Sequence, residues 1–306
     1  MTSDGRRLGL HTSTKLDFED LVALVNRGLE LSRGGSAKSF AGRNVILAFF
    51  ENSTRTKVSF EVASTHLGMT AINFDITGSS LSKGESVKDT AETLASYDPS
   101  LFVVRSKESG LSQLFEDWTG IPTINAGDGE HEHPTQAILD ITTLVERFGS
   151  LEALGGLRMA IVGDVLHSRV ARSLTQLANL CGIEVSFLGP DNMMPKYIFP
   201  NVNRHSSFEV ERYDVLYLLR IQRERLAHGE TLEVNKYRSR FSLTKERAAH
   251  LRSEQVIMHP GPVFPGMEID APLIDATNSL IRRQTEISIF ARMAIVEAVL
   301  EGSIGG

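Results

Sequence analysis

The 306-residue sequence has one cysteine, one tryptophan and no apolar run that approaches the length of a membrane span. With Cys181 alone, an intramolecular disulfide is excluded. Its setting, LANLCGIEV, is that of a buried inert thiol rather than a nucleophile. Positive charge is not in excess. The formal net charge is -6, so neither nucleic acid nor an anionic membrane is expected as a partner. Any anion must be held by a local cluster of Arg and Lys. The G-x-G-x-x-G turn of dinucleotide binders and the G-x-x-x-x-G-K-[ST] loop of nucleotide triphosphate binders are both missing. His131 and His133 are followed by no further His or Cys at a ligand spacing, so no metal and no cofactor are expected. The N-terminus, MTSDGRRLGLHTST, lacks the apolar core of a signal peptide, and a cytoplasmic location is the expectation.

What is present is ordinary for a globular protein, with 41% hydrophobic and 23% charged residues, and the length favours about two domains. DFEDLVALVNRGLELSRG from Asp17 reads as an amphipathic helix with Asp17 as N-cap and Gly34 near its stop. Short apolar runs follow: Val45–Phe50, Leu101–Val104, Pro122–Asn125, Met159–Val162, Glu184–Leu188, Val215–Leu219 and Val256–Met258. Their length and β-branched or aromatic content predict buried strands. Helix-like segments such as Thr56–Leu67, Pro134–Phe148 and Arg169–Leu180 lie between them. This alternation predicts an α/β fold with mostly parallel sheets flanked by helices. GSLEALGGLR after Phe148 reads as an interdomain connection or a surface loop, and Ile287 to Gly302 as a final amphipathic helix able to pack on either domain.

Polar clusters recur where predicted strands end. VILAFF runs into Glu51-Asn52-Ser53-Thr54-Arg55-Thr56-Lys57, LFVV into Arg105, and PTINAGDG into His131, His133 and Gln136. MAIVGD runs into His167-Ser168-Arg169, VLYLL into Arg220-Ile221-Gln222-Arg223-Glu224, and VIM into His259-Pro260-Gly261-Pro262. Ligands of open α/β sheets bind outside the carboxyl ends of the strands. Ser53-Thr54-Arg55-Thr56 at a helix start offers unpaired amides, hydroxyls and a guanidinium, a set suited to a phosphate dianion. The simpler reading is a helix cap, but capping needs one hydroxyl and the helix dipole disfavours an Arg in the first turn. Arg220, Gln222 and Glu224, taken alone, also fit an exposed edge with solvated charges.

These clusters, in this order, resemble the aspartate/ornithine carbamoyltransferase family over nearly the whole chain, and its aspartate branch in particular. FFENSTRTK is similar to the family's carbamoyl phosphate motif F-x-x-x-S-T-R-T-R, and GDGEHEHPTQAILD to its G-D-G-x-x-x-H-P-T-Q signature. Ser79-Ser80-Leu81-Ser82-Lys83-Gly84-Glu85 resembles the loop that carries an active-site Ser and Lys. HSRVARSL, RIQRER and HPGP are similar to the acceptor-side motifs of the aspartate branch; the H-C-L-P and S-M-G segments typical of ornithine enzymes are absent. Departures are Lys57 where Arg is usual, Ser106-Lys107 after Arg105 where Arg-His is common, and Phe264-Pro265-Gly266 where N-R-G is usual. QTEISIFARMA also replaces a segment that often contains Asn-Gly.

The resemblance implies a carbamoyl phosphate-binding domain over 1–139, an amino acid-binding domain over 140–288, and a C-terminal helix, 289–306, returning to the first. It implies that Ser53, Thr54, Arg55, Thr56, Arg105, His133, Gln136, Pro260 and Gly261 bind carbamoyl phosphate. Lys83, Arg169, Arg220 and Gln222 would bind the amino acid, and Arg55, Thr56, Lys83, Arg105, His133 and Gln136 would carry catalysis. The expected assembly is a homotrimer with shared sites, its loop Ser (Ser79 or Ser80) and Lys83 reaching a neighbouring subunit. The expected reaction is carbamoyl transfer to L-aspartate in pyrimidine synthesis. The acceptor-loop departures motivate one alternative, another acceptor such as 2,3-diaminopropionate. A non-catalytic paralogue is a separate alternative, against which the retention of Arg55, Lys83, Arg105, His133 and Gln136 together argues.

Overall fold

The structure is a computed structural model that describes residues 9–75, 84–196, 199, 201–221 and 234–304. The chain divides into two compact units, Met1–Thr142 with Thr285–Gly306, and Thr143–Gln284.

In the first unit, α1 (Phe18–Ser32) starts at Asp17, whose Oδ1 accepts from the Asp20 amide at 2.8 Å. It buries Leu21, Leu24, Val25, Leu29 and Leu31 along one side. There follow β1 (Asn44–Phe49), α2 (Thr54–His66), β2 (Thr70–Asp75), α3 (Val87–Ala95), β3 (Leu101–Ser106), α4 (Leu111–Thr119), β4 (Thr123–Asp128) and α5 (Pro134–Phe148). The four strands form a parallel sheet in the order β2-β1-β3-β4. Strands covered on both faces need continuous apolar sequence, and NVILAF and LFVV supply it. Phe102 and Phe115 meet edge to face at 5.4 Å beside Ile46, Ala48, Val104 and Leu111. After β1 the chain moves outward to β2, then crosses to place β3 on the other side of β1. The carboxyl ends of β1 and β3 therefore flank a topological switch point.

The second unit repeats the plan with β5 (Arg158–Val162), α6 (Arg169–Leu180), β6 (Glu184–Leu188), β7 (Val202–His205), β8 (Val215–Leu218), α7 (Val234–Phe241), α8 (Lys245–Ala248) and β9 (Val256–Met258). Its parallel order is β7-β6-β5-β8-β9, with the switch between β5 and β8. Gly163 follows β5 at φ +125°, where an added Cβ would stand 2.9 Å from the Leu219 carbonyl oxygen. Only glycine lets the two strand ends approach this closely. The segment 149–158 lies inside this unit rather than between the two, a surface loop anchored by the buried Leu151 and Leu154 with most of its other residues exposed.

The last helix, α9 (Ile281–Glu301), starts six residues earlier than its apolar spacing predicts, and from Thr285 it belongs to the first unit. It lies close to α1: a Cβ on Gly28 would stand 3.4 Å from Ala291 Cα. Arg27 makes a two-pronged ion pair with buried Glu297, at 2.6 and 3.0 Å, and Glu297 also accepts from the Lys38 amide at 2.9 Å. No helix among the described residues is long and apolar enough to cross a membrane. Glu297→Ala removes the acceptor for three donors at once and should cost about 2–4 kcal/mol of stability, read from urea unfolding. A loss no larger than that of an exposed Glu→Ala control would show that this junction does not hold α9 on α1.

Candidate active site

Ser53 occupies the N-cap position of α2 yet makes no capping hydrogen bond. The side chains of Asp17, Ser86, Ser168 and Thr244 do cap their helices. The hydroxyl at the start of α2 is thus not used to close the helix, which sets aside the cap reading of Ser53-Thr54-Arg55-Thr56. Thr54 and Arg55 are exposed and Thr56 is buried. First-turn amides, two exposed side chains and a positive helix end share this position.

Beside it, at the end of β3, Arg105 is nearly buried. Its Nε lies 2.7 Å from Glu51 Oε1 at the end of β1, both side chains being less than 15% exposed (13% and 11%). Arg105 Nη1 donates to the Ala126 carbonyl at 3.1 Å, and lies 3.5 Å from Thr56 Oγ1 and 3.4 Å from His133 Nε2. The Ala126 contact depends on an irregularity: β4 advances from Asn125 to Asp128 while β3 advances from Val104 to Ser106. The extra residue in β4 turns a carbonyl toward the guanidinium. His133 is buried immediately before α5, and Gln136, also buried, lies in the first turn of that helix.

The loop that delivers His133 is tied by Asp128, whose carboxylate accepts from the Gly110 amide at 2.6 Å and the Glu132 amide at 2.9 Å. Glu132 in turn accepts from the Ser13 amide at 2.6 Å. His131 turns to Asp128 at 3.2 Å, so the two histidines serve different partners. Among the described residues no group of His, Cys, Asp and Glu could hold a metal ion. Cys181 is buried, and burial pushes its thiol up to about 12, as an inert thiol requires.

In the second unit, Arg169 opens α6 after the Ser168 cap, and Arg220 follows β8. Both are half-buried at the ends of the two strands that flank the switch. His167 Nδ1 lies 2.8 Å from the buried Asp164. The exposed Phe264 ring lies 5.1 Å from the Arg220 guanidinium. Glu268 is buried beneath them and accepts from the Ile221 amide through one oxygen and the Phe264 amide through the other, each at 3.0 Å. Glu268 thereby ties the end of β8 to the loop after His259-Pro260-Gly261-Pro262. That turn is held by the Gly261 amide donating to His259 Nδ1 at 2.8 Å, and by the His259 amide donating to Gln284 at 2.9 Å.

The structure brings Thr56, Arg105 and His133 into contact, and places Ser53, Thr54, Arg55 and Gln136 on the same unit. Arg169, Arg220, Pro260 and Gly261 follow strand ends of the other. Ser79, Ser80, Lys83 and Gln222 lie outside the described residues. Glu51 and Glu268 were not singled out as site residues by sequence reasoning. Glu51 stood in the right motif, whereas Glu268 carries no local signal, because its partners lie up to 47 residues away.

A family model described as "Aspartate/ornithine carbamoyltransferase, carbamoyl-P binding domain" matches residues 9–146. A second, "Aspartate/ornithine carbamoyltransferase, Asp/Orn binding domain", matches residues 155–299. The chain belongs to the aspartate/ornithine carbamoyltransferase family. Among relatives in this carbamoyltransferase family, the aspartate carbamoyltransferase catalytic subunit of Mycobacterium tuberculosis is 40% identical over 308 residues, covering 96% of each chain. That of Legionella pneumophila is 38% identical over 291 residues, covering 94% of this chain and 97% of the other. The structure is similar to aspartate transcarbamoylase from Trypanosoma cruzi in complex with carbamoyl phosphate and aspartate (TM-score 0.85, 26% identity, 96% and 97% of the two chains covered). It is also similar to the catalytic subunit of the M. jannaschii enzyme (TM-score 0.83, 30% identity, 96% and 98%).

Burial raises the Glu268 carboxyl above the ordinary glutamate range, against the opposing pull of the two amides and Arg220. The folded state therefore holds this proton more tightly than the unfolded chain does. That contribution to stability is fully present below the ordinary glutamate range and is lost as pH rises through the raised folded value. Glu268→Gln should lack this decline. The stability difference between wild type and variant, measured by urea unfolding across pH, should shift in the variant's favour as pH rises. A shift of opposite sign would show that Glu268 is held below the ordinary range.

Proposed function

We propose that the protein transfers the carbamoyl group of carbamoyl phosphate to the amino group of L-aspartate, giving N-carbamoyl-L-aspartate and phosphate. The observation that carries this reading is the cluster of Glu51, Thr56, Arg105 and His133 at the switch point of the first sheet, beside the uncapped start of α2. Carbamoyl phosphate is an activated acyl donor, so the reaction needs positioned charge more than a covalent intermediate. Ser53, Thr54, Arg55, Thr56 and Arg105 bind the phosphate. Thr56, Arg105 and His133 surround the carbonyl oxygen, where negative charge builds as the neutral amine attacks. Their mutual contacts of 3.4 and 3.5 Å are long, and a substrate oxygen received among them would form shorter ones. Collapse of the tetrahedral intermediate breaks the bond to phosphate, and the departing phosphate takes the proton from the attacking amine. Gln136 and the Pro260 carbonyl beside Gly261 hold the carbamoyl NH2.

Arg169 and Arg220, with Gln222, hold the acceptor. Two guanidinium groups match the two carboxylates of aspartate. 2,3-Diaminopropionate offers one carboxylate and a second amine, which sets it below aspartate. Lys83 and the loop serine, Ser79 or Ser80, close the site from a neighbouring subunit of a homotrimer, as the family resemblance implies. The same resemblance supports a cytoplasmic location and a place in pyrimidine synthesis.

Arg55→Ala should lower turnover at least about 100-fold, measured as phosphate release with aspartate; near-normal turnover would count against the donor site. In a panel of acceptor amino acids, aspartate should give the largest kcat/KM and a product of the mass of N-carbamoyl-aspartate. A larger value with 2,3-diaminopropionate would reassign the acceptor. Mixing inactive Arg55→Ala and Lys83→Ala chains should restore part of the activity through hybrid interfaces. No recovery after demonstrated subunit exchange would remove the shared site.

A further inference from the structure

The side-chain amide of Gln136 has two chemically opposite faces, and which one it turns to a ligand decides what it recognises. An NH2 group on the ligand needs the carbonyl oxygen Oε1; turned over, the amide would present its own NH2 and repel it. Gln136 Nε2 donates to Asp140 Oδ1 at 3.0 Å, one turn further along α5. An ionised carboxylate only accepts, so this contact commits the nitrogen and leaves Oε1 as the group that Gln136 offers. The fixation holds only while Asp140 stays charged. A buried carboxylic acid would take up a proton, become a donor and allow the amide to turn.

Asp140 is completely buried, and a buried cation on α9, Arg292, feels its charge. Arg292, itself 2% exposed, lies against the buried Phe60 ring at 5.1 Å and donates to the Ser288 carbonyl at 3.2 Å. Burial brings the Arg292 guanidinium down to about 9, opposed by its attraction to Asp140, so it remains a cation at neutral pH. All four side chains belong to the first unit. A buried ion pair contributes little net stability over an apolar pair of similar size, so fold stability alone is a weak reason for two buried charges here.

We propose that Asp140 and Arg292 are positioning residues that hold Gln136 with its carbonyl oxygen toward the carbamoyl NH2, and so let the site distinguish that group from a methyl group or from none. This rests on the reading of Gln136 given under Proposed function. The experiment compares wild type with the double variant Asp140→Asn/Arg292→Met, which removes both charges together and so avoids leaving one buried and unpaired. Dissociation constants are measured by calorimetry for carbamoyl phosphate, for acetyl phosphate (methyl in place of NH2) and for inorganic phosphate. In the double variant carbamoyl phosphate should bind about tenfold more weakly, with the other two changed by less than about twofold. Arg292→Lys, which keeps the cation, should retain most of the wild-type preference. A double variant that prefers carbamoyl over acetyl phosphate as strongly as wild type overturns the relay. So does one that loses all three ligands alike. A wild-type protein without that preference would instead sink the reading of Gln136 itself.

Discussion

A guanidinium kept almost out of water at the end of a parallel strand is the constraint around which the first unit is arranged. Arg105 can stay there only because Glu51 meets it at 2.7 Å from the neighbouring strand. The pairing requires β1 and β3 to be adjacent, and adjacency with a helix start between them is what a switch point provides. The extra residue in β4 then brings the Ala126 carbonyl to the same group, and His133 and Thr56 complete its surroundings. Charge, strand order and backbone irregularity are thus one arrangement seen at three scales.

The central strands were legible because a strand covered on both faces has to be apolar throughout. β2 and β7 were not, and both are edges: TAINFD leaves Ile72 exposed, and VNRH has no fully buried residue. The donor motif was legible because Ser53-Thr54-Arg55-Thr56 is contiguous. The supports of the site were not. Arg292 stands 152 residues from Asp140 in a helix whose sequence signal is simply apolar, and Glu268 looks like any surface glutamate until its two amide partners are seen. Contiguous chemistry can be read from the chain, whereas groups acting through other groups need the fold.

The departures from the family pattern take on physical content in the structure. Phe264 replaces a polar residue with a ring that covers Arg220, and Glu268 below it fixes both the ring's backbone and the strand end that carries the arginine. Ser106, after Arg105, is buried and accepts from the Glu108 amide at 2.9 Å, which turns the chain toward α4. These residues leave the contacts among Thr56, Arg105 and His133 in place, and Phe264 alters the surroundings of Arg220.

The second unit is a continuous insertion within the first, entered through α5 and left through α9. Glu297, which receives Arg27 and the Lys38 amide, lies in α9, after the whole of the inserted unit. On the ribosome the unit begun first is therefore the last that can be completed. Its N-terminal part, up to Thr142, must wait, with the β1–β4 sheet lacking its final helix, until the whole inserted unit has emerged. The order of synthesis and the order of completion run in opposite directions.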